Sequence, residues 1–193
     1  MVSGAIKCKG IIKLNVRIIS GIFGGRIIQS PNSETTHPMS ERIRGSMFNI
    51  IGDEINDAVV LDAFAGTGCI GLEAISRGAK SVEFVERDRL AFKILDENIK
   101  SLGVSEKVIS TQIGLSTWIT KSQGKNYDII FVDPPYNHMQ LSTVLKLLGM
   151  LKQGGLMVLS YPGRGEVPAV EGFVVVDNRE YGNAALAFYR LDS

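Results

Sequence analysis

Val59-Val60-Leu61-Asp62-Ala63-Phe64-Ala65-Gly66-Thr67-Gly68-Cys69-Ile70-Gly71 is the stretch on which the fold turns. Val59–Phe64 is an apolar run of strand length that breaks at a glycine turn. Gly66, Gly68 and Gly71 match G-x-G-x-x-G, and the pattern predicts a helix over Gly68–Arg77. A second apolar run, Ser81–Glu86, places Glu86 20 residues after Gly66. Strand, glycine turn, helix and strand make the opening βαβ unit of a parallel sheet.

Outward from this unit the alternation continues. Asp88–Leu102 carries Ala91, Ile94, Leu95, Ile99 and Leu102 at helical spacing and stops at Gly103. Lys107–Ile113 and Tyr127–Asp133 read as strands around a short helix near Ser116–Ser122. A helix over Leu141–Leu151 leads through Gly154-Gly155 into a strand at Leu156–Ser160. Phe173–Asp177 and Ala184–Leu191 read as a closing antiparallel pair. The fold class is α/β: a doubly wound, mostly parallel sheet with helices on both faces and an antiparallel C-terminal strand.

Towards the N-terminus, Ser40 is the expected N-cap of a helix with Ile43, Met47, Ile50 and Ile51 on one face, ending near Gly52. Arg17–Ile28 has two apolar stretches around a glycine-rich turn, the pattern of a β-hairpin arm. Pro31–Pro38 reads as a polar loop, and residues 1–15 as a loosely specified extension. The expected division is a basic extension and hairpin over residues 1–38 and a main domain over residues 39–193.

Composition is that of an ordinary globular chain, 45% hydrophobic and 21% charged. Charge is unevenly spread. Residues 1–44 hold seven Lys/Arg against Glu34 and Glu41, whereas the remainder is net acidic. A basic segment on an acidic body fits a polyanion-binding arm, or a solvated tail. Cys8 and Cys69 have no metal-ligand spacing, so no metal is expected and a reducing cytoplasm is the default. No signal peptide or membrane-spanning run is evident.

Asp133-Pro134-Pro135-Tyr136 follows the strand Tyr127–Val132, at the edge where open α/β sheets bind ligands. An acid, two locked prolines and an aromatic ring suit an exocyclic amine on a nucleobase. The Asp133 carboxylate and Pro134 carbonyl can accept the amine hydrogens, freeing the nitrogen lone pair for attack. Pro135 fixes the turn and Tyr136 offers a stacking face. A paired base must first be extruded or come from an unpaired loop.

The glycine motif alone also fits NAD. Asp62 separates the two readings, because a carboxylate beside the helix N-terminus repels a pyrophosphate. S-adenosylmethionine (AdoMet) carries an ammonium that Asp62 attracts and a carboxylate for the turn amides. Glu86 can then accept from both ribose hydroxyls. The amine motif and the absence of a hydride-transfer partner favour AdoMet.

With Asp62–Gly71 and Asp133–Tyr136 stands a third segment, Pro38-Met39-Ser40-Glu41-Arg42-Ile43-Arg44. In order and spacing, joined by Leu72–Ala79, Phe84-Val85-Glu86 and Tyr181–Leu186, these resemble the RsmD-type bacterial methyltransferases, which modify a guanine N2 in small-subunit (16S) ribosomal RNA. The likeness runs from about Arg17 to Leu191. It implies a Rossmann-like AdoMet-dependent methyltransferase fold, with cofactor contacts at Asp62, Phe64, Gly66, Gly68, Glu86, Arg87, Gly114 and Asp133. It implies target-amine contacts from Asp133 to Tyr136, and RNA contacts at Lys13, Arg17, Arg26, Ser40, Arg42 and Arg44. The implied partner is 16S rRNA in the small subunit or an assembly intermediate, met by a cytoplasmic monomer.

Three positions depart from the family pattern: His37 replaces a common arginine, Gly45 a common acid, and Gly114 a common Asp or Asn beside the adenine. Trp118 reads as a core or partly exposed helix residue, and His138 as a loop cap. Two other functions use the same residues: an adenine-N6 DNA methyltransferase, and a non-catalytic RNA-binding assembly factor with a relic pocket.

Overall fold

The computed structural model of the chain describes residues 13–31, 39–135, 141–163, 167 and 169–192. Two strands, β1 (Lys13–Arg17) and β2 (Ile27–Pro31), pair antiparallel as the hairpin. Lys13–Asn15, expected in the extension, thus belong to β1. The loop between the strands closes through Ile18 N–H to the Arg26 carbonyl (2.9 Å) and Gly25 N–H to the Ile18 carbonyl (2.8 Å).

There follow α1 (Glu41–Ile51), β3 (Val59–Asp62), α2 (Cys69–Ser76), β4 (Ser81–Glu86), α3 (Arg89–Leu102) and β5 (Val108–Gln112). Then come α4 (Leu115–Lys121), β6 (Tyr127–Val132), α5 (Leu141–Leu148), β7 (Leu151–Pro162), β8 (Phe173–Glu180) and β9 (Ala184–Leu191). The sheet order is β5-β4-β3-β6-β7-β9-β8, parallel from β5 to β7, with β9 antiparallel to both neighbours. The doubly wound sheet read from the sequence is therefore present. No helix among the described residues is long and apolar enough to cross a membrane.

Strand residues alternate between two apolar layers, which is why the strands read as unbroken hydrophobic runs. Val60, Phe84, Ile129, Phe131, Val158, Leu186 and Phe188 face α1, α2 and α3. Leu61, Val85, Ile130, Val132, Met157 and Leu159 face α4 and α5. Val16, Ile18 and Ile28 of the hairpin lie in the first layer, so the arm shares the core of the sheet domain.

Element ends differ where pairing overrides local pattern. The helix predicted to Leu151 stops at Leu148, and β7 begins before Gly154-Gly155 because Tyr127 already pairs with Leu151. On α1 the buried residues are Arg44, Met47, Phe48 and Ile51, while Ile43 and Ile50 are only half-buried. Arg44, expected to contact RNA, thus occupies a core position.

Its burial is sustained by a polar hub. Arg44 donates from Nη1 to the Met39 carbonyl (2.9 Å) and from Nη2 to the Arg17 carbonyl (2.5 Å), with Nε 3.7 Å from Glu73. Glu73 on α2 is also fully buried and accepts from Ile19 N–H (2.7 Å), Ser20 N–H (3.0 Å) and Arg77 Nε (2.7 Å). Gly21 completes the joint: with φ +81°, a Cβ there would stand 1.8 Å from the Ser76 carbonyl oxygen. Glu73→Ala strands a buried guanidinium and two hairpin amides, and should lower the unfolding free energy by about 3–5 kcal/mol. Urea denaturation checks this; a loss below about 1 kcal/mol contradicts the hub's structural role.

Candidate active site

The chain leaves β3 for β4 on one side and returns to β6 on the other, so the strand order reverses between β3 and β6. Ligand crevices form at such a reversal, outside the C-terminal strand ends. Asp62 ends β3 and pairs in register with Phe131, two residues before Asp133. Ala63 N–H donates to the Phe131 carbonyl (3.0 Å). The two aspartates predicted to carry the chemistry thus emerge from adjacent strands.

Asp62 is 1% exposed. Its Oδ2 accepts from Gly71 N–H at 3.0 Å, while Oδ1 has no hydrogen-bond partner. Burial is the chief cause that lifts its pKa to about 7; the Gly71 hydrogen bond and the nearby Phe64 amide oppose the rise, and the carboxylates of Asp133 and Glu86 add to it. A buried carboxylate oxygen lacking a donor is costly by itself and is matched by a cation placed against it. Gly71 makes the arrangement possible, since a Cβ there would meet Phe84 Cε1 at 2.2 Å.

Glu86 at the end of β4 is half-buried. Its Oε2 accepts from Gly66 N–H (2.7 Å) and its Oε1 from Asp88 N–H (2.6 Å), which ties the glycine turn to the start of α3. The Gly68 amide closes the turn on the Ala65 carbonyl (2.7 Å). The amides of Gly66 and Gly68, expected to meet a cofactor carboxylate, are therefore both engaged within the protein. Phe64 is half-buried against the second apolar layer, and Arg87 is exposed. Gly114 precedes α4 with φ −69°, and a Cβ there would meet nothing within 4 Å. Ile113 N–H bonds the Glu86 carbonyl (2.9 Å), so Gly114 stands at the same rim.

Asp133 is half-buried, Pro134 buried and Pro135 exposed, and Tyr136 lies outside the described residues. Burial raises the Asp133 pKa, and a hydrogen bond with the Ser160 side chain opposes the rise. Beneath Asp133 is a small recess lined by Met39, Met47, Ile70, Ser160 and Leu186. The Arg44 bond to the Met39 carbonyl thus fixes one wall of the recess. Among the described residues no group of three His, Cys, Asp or Glu could hold a metal ion.

The RNA-facing candidates divide. Arg17, Arg26 and Arg42 are exposed. Arg26 bonds the Ser101 carbonyl (2.8 Å) and lies over the Phe23 ring. Ser40 is exposed and caps α1, its Oγ accepting from Ile43 N–H (3.3 Å). Lys13 lies on β1. Arg44 is the correction: with no exposure and its guanidinium committed to backbone carbonyls, it presents no charge to an RNA.

Two residues that the sequence reading passed over shape the site. Asn98 on α3 is buried and donates from Nδ2 to the Thr67 carbonyl (2.9 Å) and the Gln29 carbonyl (2.9 Å), while Oδ1 accepts from Gln29 N–H (2.8 Å). It bonds the glycine turn to the hairpin. A polar residue within the Leu95-Asn98-Ile99-Leu102 stripe was the available signal. Ser160, the other, sits at the last position of a predicted strand, where only three-dimensional register reveals its neighbour.

The comparisons agree with this geometry. The family model described as "Conserved hypothetical protein 95" matches residues 16–190. The Ribosomal RNA small subunit methyltransferase D of Escherichia coli (strain K12) is 33% identical over 158 residues, covering 80% of this chain and 79% of the relative. The protein of the same name from Buchnera aphidicola (subsp. Acyrthosiphon pisum) is 37% identical over 134 residues, 69% of each chain. The solved structure of yhhF from Escherichia coli superposes with a TM-score of 0.83 at 27% identity, covering 92% of this chain and 98% of the other. By its matched family model and these relatives, the chain belongs to the RsmD-type ribosomal RNA methyltransferase family.

Proposed function

We propose that this protein transfers a methyl group from AdoMet to the exocyclic N2 of a guanine in 16S rRNA of the small ribosomal subunit. The observation that carries the reading is the unpartnered Asp62 Oδ1, buried beside the glycine turn and one strand from Asp133. An ammonium fits that oxygen, whereas the pyrophosphate of a dinucleotide does not. Relatives named for small-subunit rRNA methylation support the substrate class.

When bound, AdoMet supplies an electrophilic methyl carbon, its C–S bond breaking as the N–C bond forms and its sulfur leaving neutral. Asp62 holds the amino-acid ammonium, and Glu86 receives the ribose hydroxyls at the mouth of the turn. Asp133 and the Pro134 carbonyl accept the hydrogens of the target amine and orient its lone pair. The nitrogen gains positive charge as it is methylated and then releases a proton, which Asp133 can take and pass to water. The exposed Arg17, Arg26 and Arg42 hold the RNA by its phosphates, as one protein copy acting in the cytoplasm.

Labelled methyl transfer from AdoMet to unmethylated small subunits tests the reading. Wild type is expected to label rRNA, and Asp133→Asn to lose at least 100-fold in kcat with AdoMet affinity within about threefold. Label in DNA adenine alone favours the N6 alternative; binding to subunits without any transfer favours the assembly factor.

Asp62 adds a pH signature. Only its ionised form holds the ammonium, so protonation below about pH 7 removes binding-competent protein. The AdoMet Kd should be roughly eightfold weaker at pH 6 than at pH 7.5, and Asp62→Asn should flatten this dependence. Calorimetry across that range contradicts the assignment if the wild-type Kd is constant.

Replacing Arg17, Arg26 and Arg42 together by Ala should weaken subunit binding and reduce the slope of log K against log salt by about 2. An unchanged slope removes these residues from the phosphate interface.

A further inference from the structure

Register places a further residue against Asp133. β6 and β7 run parallel with Val132 opposite Leu159, which sets Asp133, the first residue past β6, beside Ser160, which stays in β7 opposite Leu186 of β9. Both line the recess closed by Met39, Met47, Ile70 and Leu186. Ser160 is 3% exposed, and its side chain hydrogen-bonds the Asp133 carboxylate. A hydroxyl meeting a carboxylate donates, and it occupies one acceptor site while leaving the others. The surrounding wall is otherwise apolar, so no other lining side chain shares this task.

We propose that Ser160 is a positioning residue of the methyl-transfer site, its hydroxyl locking the Asp133 carboxylate in the orientation that receives the target amine. This inference rests on the Asp133 role given above. Two consequences follow from one bond. The carboxylate is held against rotation about χ2, which preserves the alignment on which transfer depends. The bond also favours the ionised carboxylate against the burial that raises its pKa, and a protonated Asp133 is a poorer acceptor for an N–H. Around Asp133, the ionisable neighbours are Asp62 on β3 and Cys69 on α2, with Arg44 of α1 acting on Cys69. Ser160 on β7 and Leu186 on β9 bring no charge.

The test compares wild type, Ser160→Ala, Ser160→Thr and Asp133→Asn in methyl transfer to unmethylated small subunits, at saturating AdoMet and across pH. Saturation removes Asp62 from the kcat profile. Ser160→Ala should lower kcat about 10-fold, with subunit KM and AdoMet Kd within about twofold. Its acid limb should move to higher pH, because loss of the donor makes Asp133 easier to protonate. Ser160→Thr, which keeps the hydroxyl, should restore kcat to within about threefold. Wild-type kcat with an unmoved acid limb in Ser160→Ala overturns the proposal, as does a loss that Thr does not rescue. Wild-type transfer by Asp133→Asn would instead overturn the underlying role of Asp133.

Discussion

A buried carboxylate governs this molecule. Asp62 sits at the end of the interior strand β3 with one oxygen tied to the Gly71 amide and the other without a hydrogen-bond partner. That bond requires α2 to approach the sheet more closely than any side chain at position 71 allows. The close approach sets the entry of α2, and the glycine turn follows from it. Because the strand order reverses beside β3, the same constraint brings Asp62 next to Asp133. Three carboxylates, those of Asp62, Glu86 and Asp133, then crowd one crevice and raise the Asp62 pKa together with its burial. Such a concentration of negative charge is poorly suited to a phosphate and well suited to a cationic methyl donor.

The arm is not an appendage hung on this centre. Glu73 and Arg44 join α2, α1 and the hairpin through bonds to backbone groups of Ile19, Ser20, Arg17 and Met39. Asn98 joins the other hairpin strand to the glycine turn. Polar groups buried in this way must all find partners at once, which specifies one orientation of the arm relative to the site. The exposed arginines are therefore carried on a surface whose position is set by the same helix, α2, that closes on Asp62.

Much of the fold was legible because doubly buried strands announce themselves as apolar runs, and α3 announced itself through its apolar spacing and stop at Gly103; Asp88, read as its first residue, is its N-cap. The ends of β7 were not legible. Glycines at 154 and 155 read as a turn, yet pairing of Leu151 with Tyr127 carries the strand through them. For the site, Asp62, Glu86 and Asp133 were visible from their places at strand ends. Arg44 was assigned to RNA through the family resemblance, and nothing local reveals the buried Glu73 one helix away. Ser160 was invisible for the same reason, and Asn98 showed only as a polar residue in an apolar stripe: their partners are 27 and 31 or more positions distant and meet them only in the folded chain.

The central claim is that this crevice brings a methyl donor and a guanine amine together. The most direct measurement is mass spectrometry of nucleosides from small-subunit rRNA after reaction of unmethylated subunits with the purified protein and isotopically labelled AdoMet. The account predicts label in N2-methylguanosine at a single rRNA position. Label in N6-methyladenosine, in another methylated nucleoside, or in none would contradict it.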